Sequence, residues 1–251
     1  MPTHFPNGVT NVTKESMFGD LKEFAPNTYT TFWADFVTPA DLGAPSFNAA
    51  DVSCNMWTIT KEDGGSDNGS IVSVTDGAGG LLTITTDDAE NDGVALQSKV
   101  EAFNIDESKE TFFETRIKAG DPTQTDWLCG LAIKDTTPFA GLSDSITFKC
   151  DDGSTAIRLV SETNMSGSIV SASVTAVASM ADDTFVKLGY HFDGFSNIKV
   201  FTVDVHVATL SVVSGTNLVT DEDMAPIVAV LTGEAAANTI VVDYIAAMQE
   251  K

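Results

Sequence analysis

Basic residues are scarce in this chain. Its 251 residues carry 13 Lys and Arg against 36 Asp and Glu, a net charge of −23. Binding a nucleic acid takes stripes of Lys and Arg that displace counterions from phosphates, so direct nucleic-acid binding is excluded. Anionic membrane surfaces are disfavoured for the same reason. A charge of this size keeps a protein soluble and is screened in salt. Cysteine is scarce too: the 3 present are Cys54, Cys129 and Cys150, with no Cys-x-x-Cys pair among them. That spacing excludes the common zinc and dithiol motifs. Cys129 and Cys150 lie in apolar alternating segments and read as buried free thiols made in a reducing compartment, with a Cys129–Cys150 disulfide as the alternative. Long hydrophobic runs are missing. The stretch 227–231 falls far short of the roughly 20 residues a membrane helix needs. The opening MPTHFPNGVTNVTKE has neither a basic nor an apolar region of the secretory kind.

Recognisable catalytic constellations are missing as well. There is no Gly-x-Ser-x-Gly elbow and no phosphate-binding glycine loop. Retaining glycosidases need two carboxyls roughly 5–5.5 Å apart. Glucanases built on large antiparallel sandwiches typically place Glu-x-Asp-x-x-Glu on one strand, and no such run occurs here. Glu110 and Glu114 would stand roughly 13 Å apart along a strand. The closer pairs Asp88/Glu90, Glu90/Asp92 and Asp221/Asp223 fall in expected loops. The histidines are His4, His191 and His206. His191 sits in a strand beside Tyr190 and Phe192, where an imidazole reads as structural. The sequence therefore leads to the expectation that the chain is not an enzyme, with no catalytic and no cofactor-binding residue. Asp88-x-Glu90-x-Asp92-Gly93 partly matches a calcium loop, but its twelfth position is Lys99 rather than a bidentate Glu. That loop and the acidic run 63–70 read as solvated turns, and no metal ligand is assigned.

What is present is β-structure. Apolar residues make up 43% of the chain, enough for a substantial core. Strands are expected at 30–36, 56–60, 70–75, 81–86, 94–100, 111–119, 127–134, 145–150, 156–161, 169–177, 185–192, 198–203, 205–210, 227–231 and 239–246. In 111–119, Phe113, Thr115 and Ile117 alternate with Glu114, Arg116 and Lys118. Such alternation buries one face and leaves the other in water, as in antiparallel sheets. Asn-Gly and Asp-Gly pairs at 63–64, 68–69, 76–77, 92–93, 152–153 and 193–194 supply the positive φ of tight hairpins. Residues 176–183 read as a loop or a single helical turn. Trp33, Trp57 and Trp127 each lie in an apolar strand context and are expected in the core.

Residues 1–28 differ from the rest. Pro2, Pro6 and Pro26 interrupt regular structure, while Met17, Leu21 and Phe24 recur at helical spacing within 13–24. This segment reads as an arm ahead of a single β-sandwich domain at 29–251. Many short strands with hairpin turns define an all-β, antiparallel jelly-roll sandwich.

The segment FFETRIKAGDPTQTDWLCGLAIKDTT, residues 112–137, resembles a stretch of concanavalin A-like, laminin-G-like jelly rolls. DSITFKCDDGS (144–154), FVKLGYHFDG (185–194) and TIVVDYIAAMQEK (239–251) continue the likeness in the same order. Together with FPNGVTNV (5–12), the combination resembles tailed-bacteriophage virion proteins of the capsid decoration type. That resemblance implies a cement protein on the outer capsid surface, bound to the major capsid protein and to itself, as a homotrimer. Under that reading Phe5, Met17, Leu21 and Phe24 contact the shell. A carbohydrate-binding or receptor-binding virion module of the same fold is the alternative.

Overall fold

The computed structural model describes residues 29–36, 46–47, 52–53, 56–62, 70–75, 80–106, 108–165 and 167–251. The arm at 1–28, with Phe5, Met17, Leu21 and Phe24, lies outside the described residues, as do Cys54 and the turns at 63–64, 68–69 and 76–77. The strands are β1 (Tyr29–Ala34), β2 (Ser46–Phe47), β3 (Val52–Ser53), β4 (Trp57–Glu62), β5 (Ile71–Thr75), β6 (Leu81–Thr85), β7 (Gly93–Ser98), β8 (Phe103–Asn104) and β9 (Thr111–Ala119). They continue as β10 (Thr125–Ala132), β11 (Ser145–Cys150), β12 (Ala156–Met165), β13 (Ser168–Ser179), β14 (Val186–Phe192), β15 (Asn197–Thr202), β16 (Val205–Ser211), β17 (Asp223–Thr232) and β18 (Thr239–Glu250). One α-helical turn, α1 (Pro138–Gly141), joins β10 to β11.

These strands form two antiparallel sheets packed face to face. The first runs β16-β15-β14-β9-β18-β6-β5-β2, with β1 also paired to β18. The second runs β13-β12-β11-β10-β17-β7-β4-β3, with β8 also paired to β17. The expected jelly-roll sandwich is therefore what the chain forms. Inward residues of both sheets build one core. Phe113, Ile117, Leu188, Tyr190, Ile240 and Ile245 come from the first sheet, and Trp57, Leu96, Trp127, Cys129, Phe148 and Val228 from the second. Tyr190 crosses the core: its ring stacks on Phe113 at 5.3 Å and its hydroxyl donates to the Ile146 carbonyl at 3.2 Å. A buried phenol needs such a partner, since an unpaired hydroxyl there costs about 1–3 kcal/mol.

Several local expectations are corrected. Gly93 is not a hairpin turn but the first residue of β7, where a Cβ would stand 2.1 Å from the Val230 carbonyl oxygen. The glycine is a close-approach residue between paired strands. Residues 176–179 extend β13 rather than forming a loop or helical turn, and Ala176 takes a φ of 55° next to the register shift opposite Ile157 and Leu159. β17 begins at Asp223, ahead of Pro226. Met224 pairs with β8 and Ile227 with β7, so Pro226 falls at the changeover, where a missing N–H costs no bond on that side.

Candidate functional site

The two outer faces of the sandwich differ. On the second sheet, Ala95, Leu128, Ile227 and Ala229 form an apolar floor, and Phe139 and Leu142 from the β10–β11 connection pack onto it. That connection is tied down at both ends. Gln97 donates to the Asp135 carbonyl at 2.5 Å and accepts from the Asp135 amide at 2.8 Å, and Glu62 accepts from the Phe139 amide at 3.3 Å. The chain's own loop thus occupies that face. The outer face of the first sheet carries a concentration of aromatic and charged side chains, and it is the candidate site.

Strand register places these residues in rows. Trp33 of β1 stands opposite Ala246 of β18, Ala246 opposite Glu114 of β9, Glu114 opposite Gly189 of β14, and Gly189 opposite Phe201 of β15. A carboxylate in mid-sheet is therefore flanked by the two smallest side chains, with an aromatic ring at each end of the row. One neighbouring row is Tyr244, Arg116 and Lys187; the other is Thr31, Met248, Phe112, His191 and Lys199. Tyr244 points outward because of a β-bulge. The β18 register slips between Val242 and Tyr244, so that Val242 pairs with Ile117 and Tyr244 with Arg116. The extra residue, Asp243, forms an ion pair with Arg116 at 2.6 Å. Bulges re-aim side chains in this way.

Trp33 is 51% exposed, and its ring lies parallel to Tyr244 at 5.6 Å between centroids and 1° between planes. The Tyr244 hydroxyl donates to Glu114 Oε1 at 2.6 Å. Lys187 Nζ lies 3.3 Å from Glu114 Oε2 and 2.6 Å from Asp204 Oδ1. Asp204 reaches this point from the β15–β16 turn, where Val203 and Asp204 have φ values of 50° and 66°. Two consecutive positive φ angles match the tight hairpin geometry that Asn-Gly normally supplies. A β-branched valine there is strained, and such strain clusters at functional positions. Burial raises the Glu114 pKa above its ordinary value, opposed by the Tyr244 hydrogen bond and the Lys187 charge. Burial also raises the Tyr244 pKa, and the Glu114 charge adds to it. For Lys187, burial pulls downward, but Asp204 and Glu114 outweigh it and the pKa is raised. The result is a reluctant carboxylate beside a firmly protonated ammonium and phenol.

The remaining sequence candidates fall elsewhere. Trp57 and Trp127 are buried as expected, whereas Trp33 is corrected from core to surface. β1 pairs only the outer half of β18, and its alternation turns Trp33 toward solvent. His191 lies on the site's edge, stacked on Phe112 at 4.2 Å with Nε2 3.6 Å from the Glu110 carboxylate. His206 is exposed and shares a 3.0 Å hydrogen bond with Thr209. Asp88 and Glu90 are exposed while Asp92 is buried. Among the described residues no group of three or more His, Cys, Asp or Glu side chains is placed to hold a metal. Cys129 and Cys150 are buried free thiols; burial pushes Cys150 up to about 11 and Cys129 higher still. The pair Glu114 and Asp204 escaped sequence reasoning, which weighed only carboxylates close along the chain. The one local signal was Glu114 on the polar side of an alternating strand.

No family model matches the chain, and no curated protein matches it in sequence. Solved structures do match its fold. An endo-1,3-β-glucanase from Streptomyces sioyaensis superposes with a TM-score of 0.56 at 13% identity, over 90% of this chain and 98% of that one. A glycoside hydrolase family 16 endo-glucanase from Bacteroides ovatus gives 0.59 at 13% identity, over 85% and 98%. An endo-β-1,4-glucuronan lyase from Trichoderma reesei gives 0.52 at 12% identity, over 86% and 94%. The chain thus has the jelly-roll sandwich of these carbohydrate-active proteins, so the concanavalin A-like part of the sequence resemblance holds. One expectation is corrected by these likenesses. The fold is one that glucanases and a polysaccharide lyase use, which overturns the expectation that the chain is not an enzyme.

Proposed function

We propose that this protein is a carbohydrate-active jelly roll that takes a polysaccharide across the outer face of its first sheet. The observation that carries this reading is the exposed Trp33 ring stacked on Tyr244, whose hydroxyl holds the buried Glu114 carboxyl. A sugar ring offers an apolar face and a rim of hydroxyls. An exposed indole matches the first, and the Glu114, Lys187 and Asp204 group matches the second.

A hydrolytic reading of the same site is supported by Glu114 and Asp204 sharing one ammonium. Each carboxyl lies within 3.3 Å of that ammonium, so the two are near neighbours on this face, as the paired carboxyls of glycoside hydrolysis are. Raised by burial, Glu114 has the character of a proton donor, and Asp204 is the more exposed of the two carboxyls.

Affinity electrophoresis and calorimetry with β-1,3-glucan, mixed-linkage β-glucan and β-1,4-glucuronan test the reading. At least one polymer should bind. Trp33→Ala should weaken that binding by about 1 kcal/mol or more, roughly fivefold or greater, through loss of the stacking platform. Failure of the unaltered protein to bind any of the three refutes the proposal. The same mixtures are assayed for new reducing ends. Turnover that yields no unsaturated uronic end and is abolished by Glu114→Gln and by Asp204→Asn assigns hydrolysis, and binding without turnover leaves recognition as the function.

A further inference from the structure

β13 ends the second sheet, and among the described residues no strand lies beyond it. Its twelve residues, SIVSASVTAVAS, contain no charge and no proline. β16, which ends the first sheet, packs beside it and is also free of Asp, Glu, Lys and Arg. Ile169 (54%), Val205 (62%) and Val207 (45%) are exposed on these two strands. Edge strands of monomers are normally guarded by lysine, proline or bulges, because their outward N–H and C=O groups template pairing with another chain. The bulge in this pair lies at Ile157/Leu159, leaving Ser168–Val174 regular. An uncharged stretch of this length stands out on a chain of net charge −23.

We infer that β13 is a homodimer interface, at which two copies join antiparallel into one continuous sheet. Identical strands paired antiparallel are related by a two-fold axis, so the contact is self-complementary and closes at two copies. The pleat allows registers that pair like faces, and the small side chains favour one of them. Leu159, Ser161 and Thr163 of β12 pair with Val174, Ala172 and Val170, and Ala172 and Val174 pack on the core. Ile169, Ser171 and Ser173 therefore share the outer face. An axis beside Ser171 sets Ser171 against its own copy, Ile169 against Ser173 and the exposed Val170 against Ala172, so that each face continues across the axis. Small residues at the centre let the two backbones approach. No acidic side chain of β13 opposes another, so the charge of the chain does not prevent this contact. The proposed contact lies on the edge strand of the second sheet, whereas the Trp33 and Glu114 face belongs to the first, and it stands independently of the glycan reading.

Light scattering on the full chain in moderate salt, across the micromolar range, tests this. The expected mass is twice that of the 26.5 kDa chain. The double variant Ile169→Lys, Ser173→Lys sets like charges directly opposite each other across the axis. It should dimerise at least tenfold more weakly while unfolding at an unchanged temperature. The amides of 168–174 that point away from β12 should exchange slowly when concentrated and faster on dilution. A single-chain mass, a three-chain mass, a dimer indifferent to the two lysines, or fast exchange of those amides at every concentration would each overturn the inference.

Discussion

Replacing Asp193 with asparagine should destabilise the sandwich in a pH-dependent way whose sign follows from geometry. Asp193 opens the β14–β15 hairpin. Its Oδ1 accepts from the amides of Phe195, Ser196 and Asn197 at 2.9, 3.0 and 3.0 Å, and its Oδ2 accepts from Asn197 Nδ2 at 2.9 Å. Burial alone would raise its pKa. The hydrogen bonds from Asn197, Phe195 and Ser196 outweigh that and lower it from 3.8 to about 2. At about 1.36 kcal/mol per pKa unit the shift corresponds to a little over 2 kcal/mol. The turn is partly open to water, so solvent screening reduces the expectation to about 1–2 kcal/mol. A depressed carboxylate pKa stabilises the fold above the unfolded value, and that contribution is lost as pH falls from about 3.8 to about 2. Asp193→Asn keeps an acceptor for the three amides, removes the charge, and replaces the oxygen that accepts from Asn197 Nδ2 with a donor. Urea unfolding of both proteins from pH 7 to pH 2 should show the full difference at neutral pH, shrinking toward zero at the acid end. A difference that stays constant over that range would mean the charge contributes nothing and the reasoning is wrong.

Glu114→Gln should behave in the opposite sense. Burial raises the Glu114 pKa, so the wild-type side chain favours folding below about 4.5 and that contribution fades as pH rises through the folded value. The melting temperature of the variant should therefore gain on the wild type between pH 4 and pH 7; a gain toward acid would show that Lys187 governs the pair instead. Gly130→Ala should cost about 1–3 kcal/mol or more, because its Cβ would stand 2.2 Å from the Ile146 carbonyl oxygen and 2.7 Å from Thr147 Cα. Calorimetry showing an unchanged melting temperature would contradict that close approach.

Alternation and turn chemistry made the architecture legible before any coordinates. In β9 the polar and apolar residues face as the two-residue period requires, and Gly153 and Gly194 take φ values of 73° and 78° at the anticipated hairpins. The functional face was much less legible. Trp33 looks like core because its neighbours Phe32 and Ala34 are apolar, and only the pairing of β1 to the outer half of β18 turns it to water. The bulge that aims Tyr244 leaves no mark in VVDYIAA, since an extra residue is defined only against its partner strand.

The sequence by itself determined the class of fold, the surplus of negative charge and the two buried thiols, because each follows from local periodicity or composition. The meeting of Glu114, Lys187, Asp204 and Tyr244 was decided by the tertiary structure alone. Those residues come from β9, β14, the β15–β16 turn and β18. Which strands lie side by side in a jelly roll is settled by burying two sheet faces against each other, a long-range condition that no short stretch of sequence records.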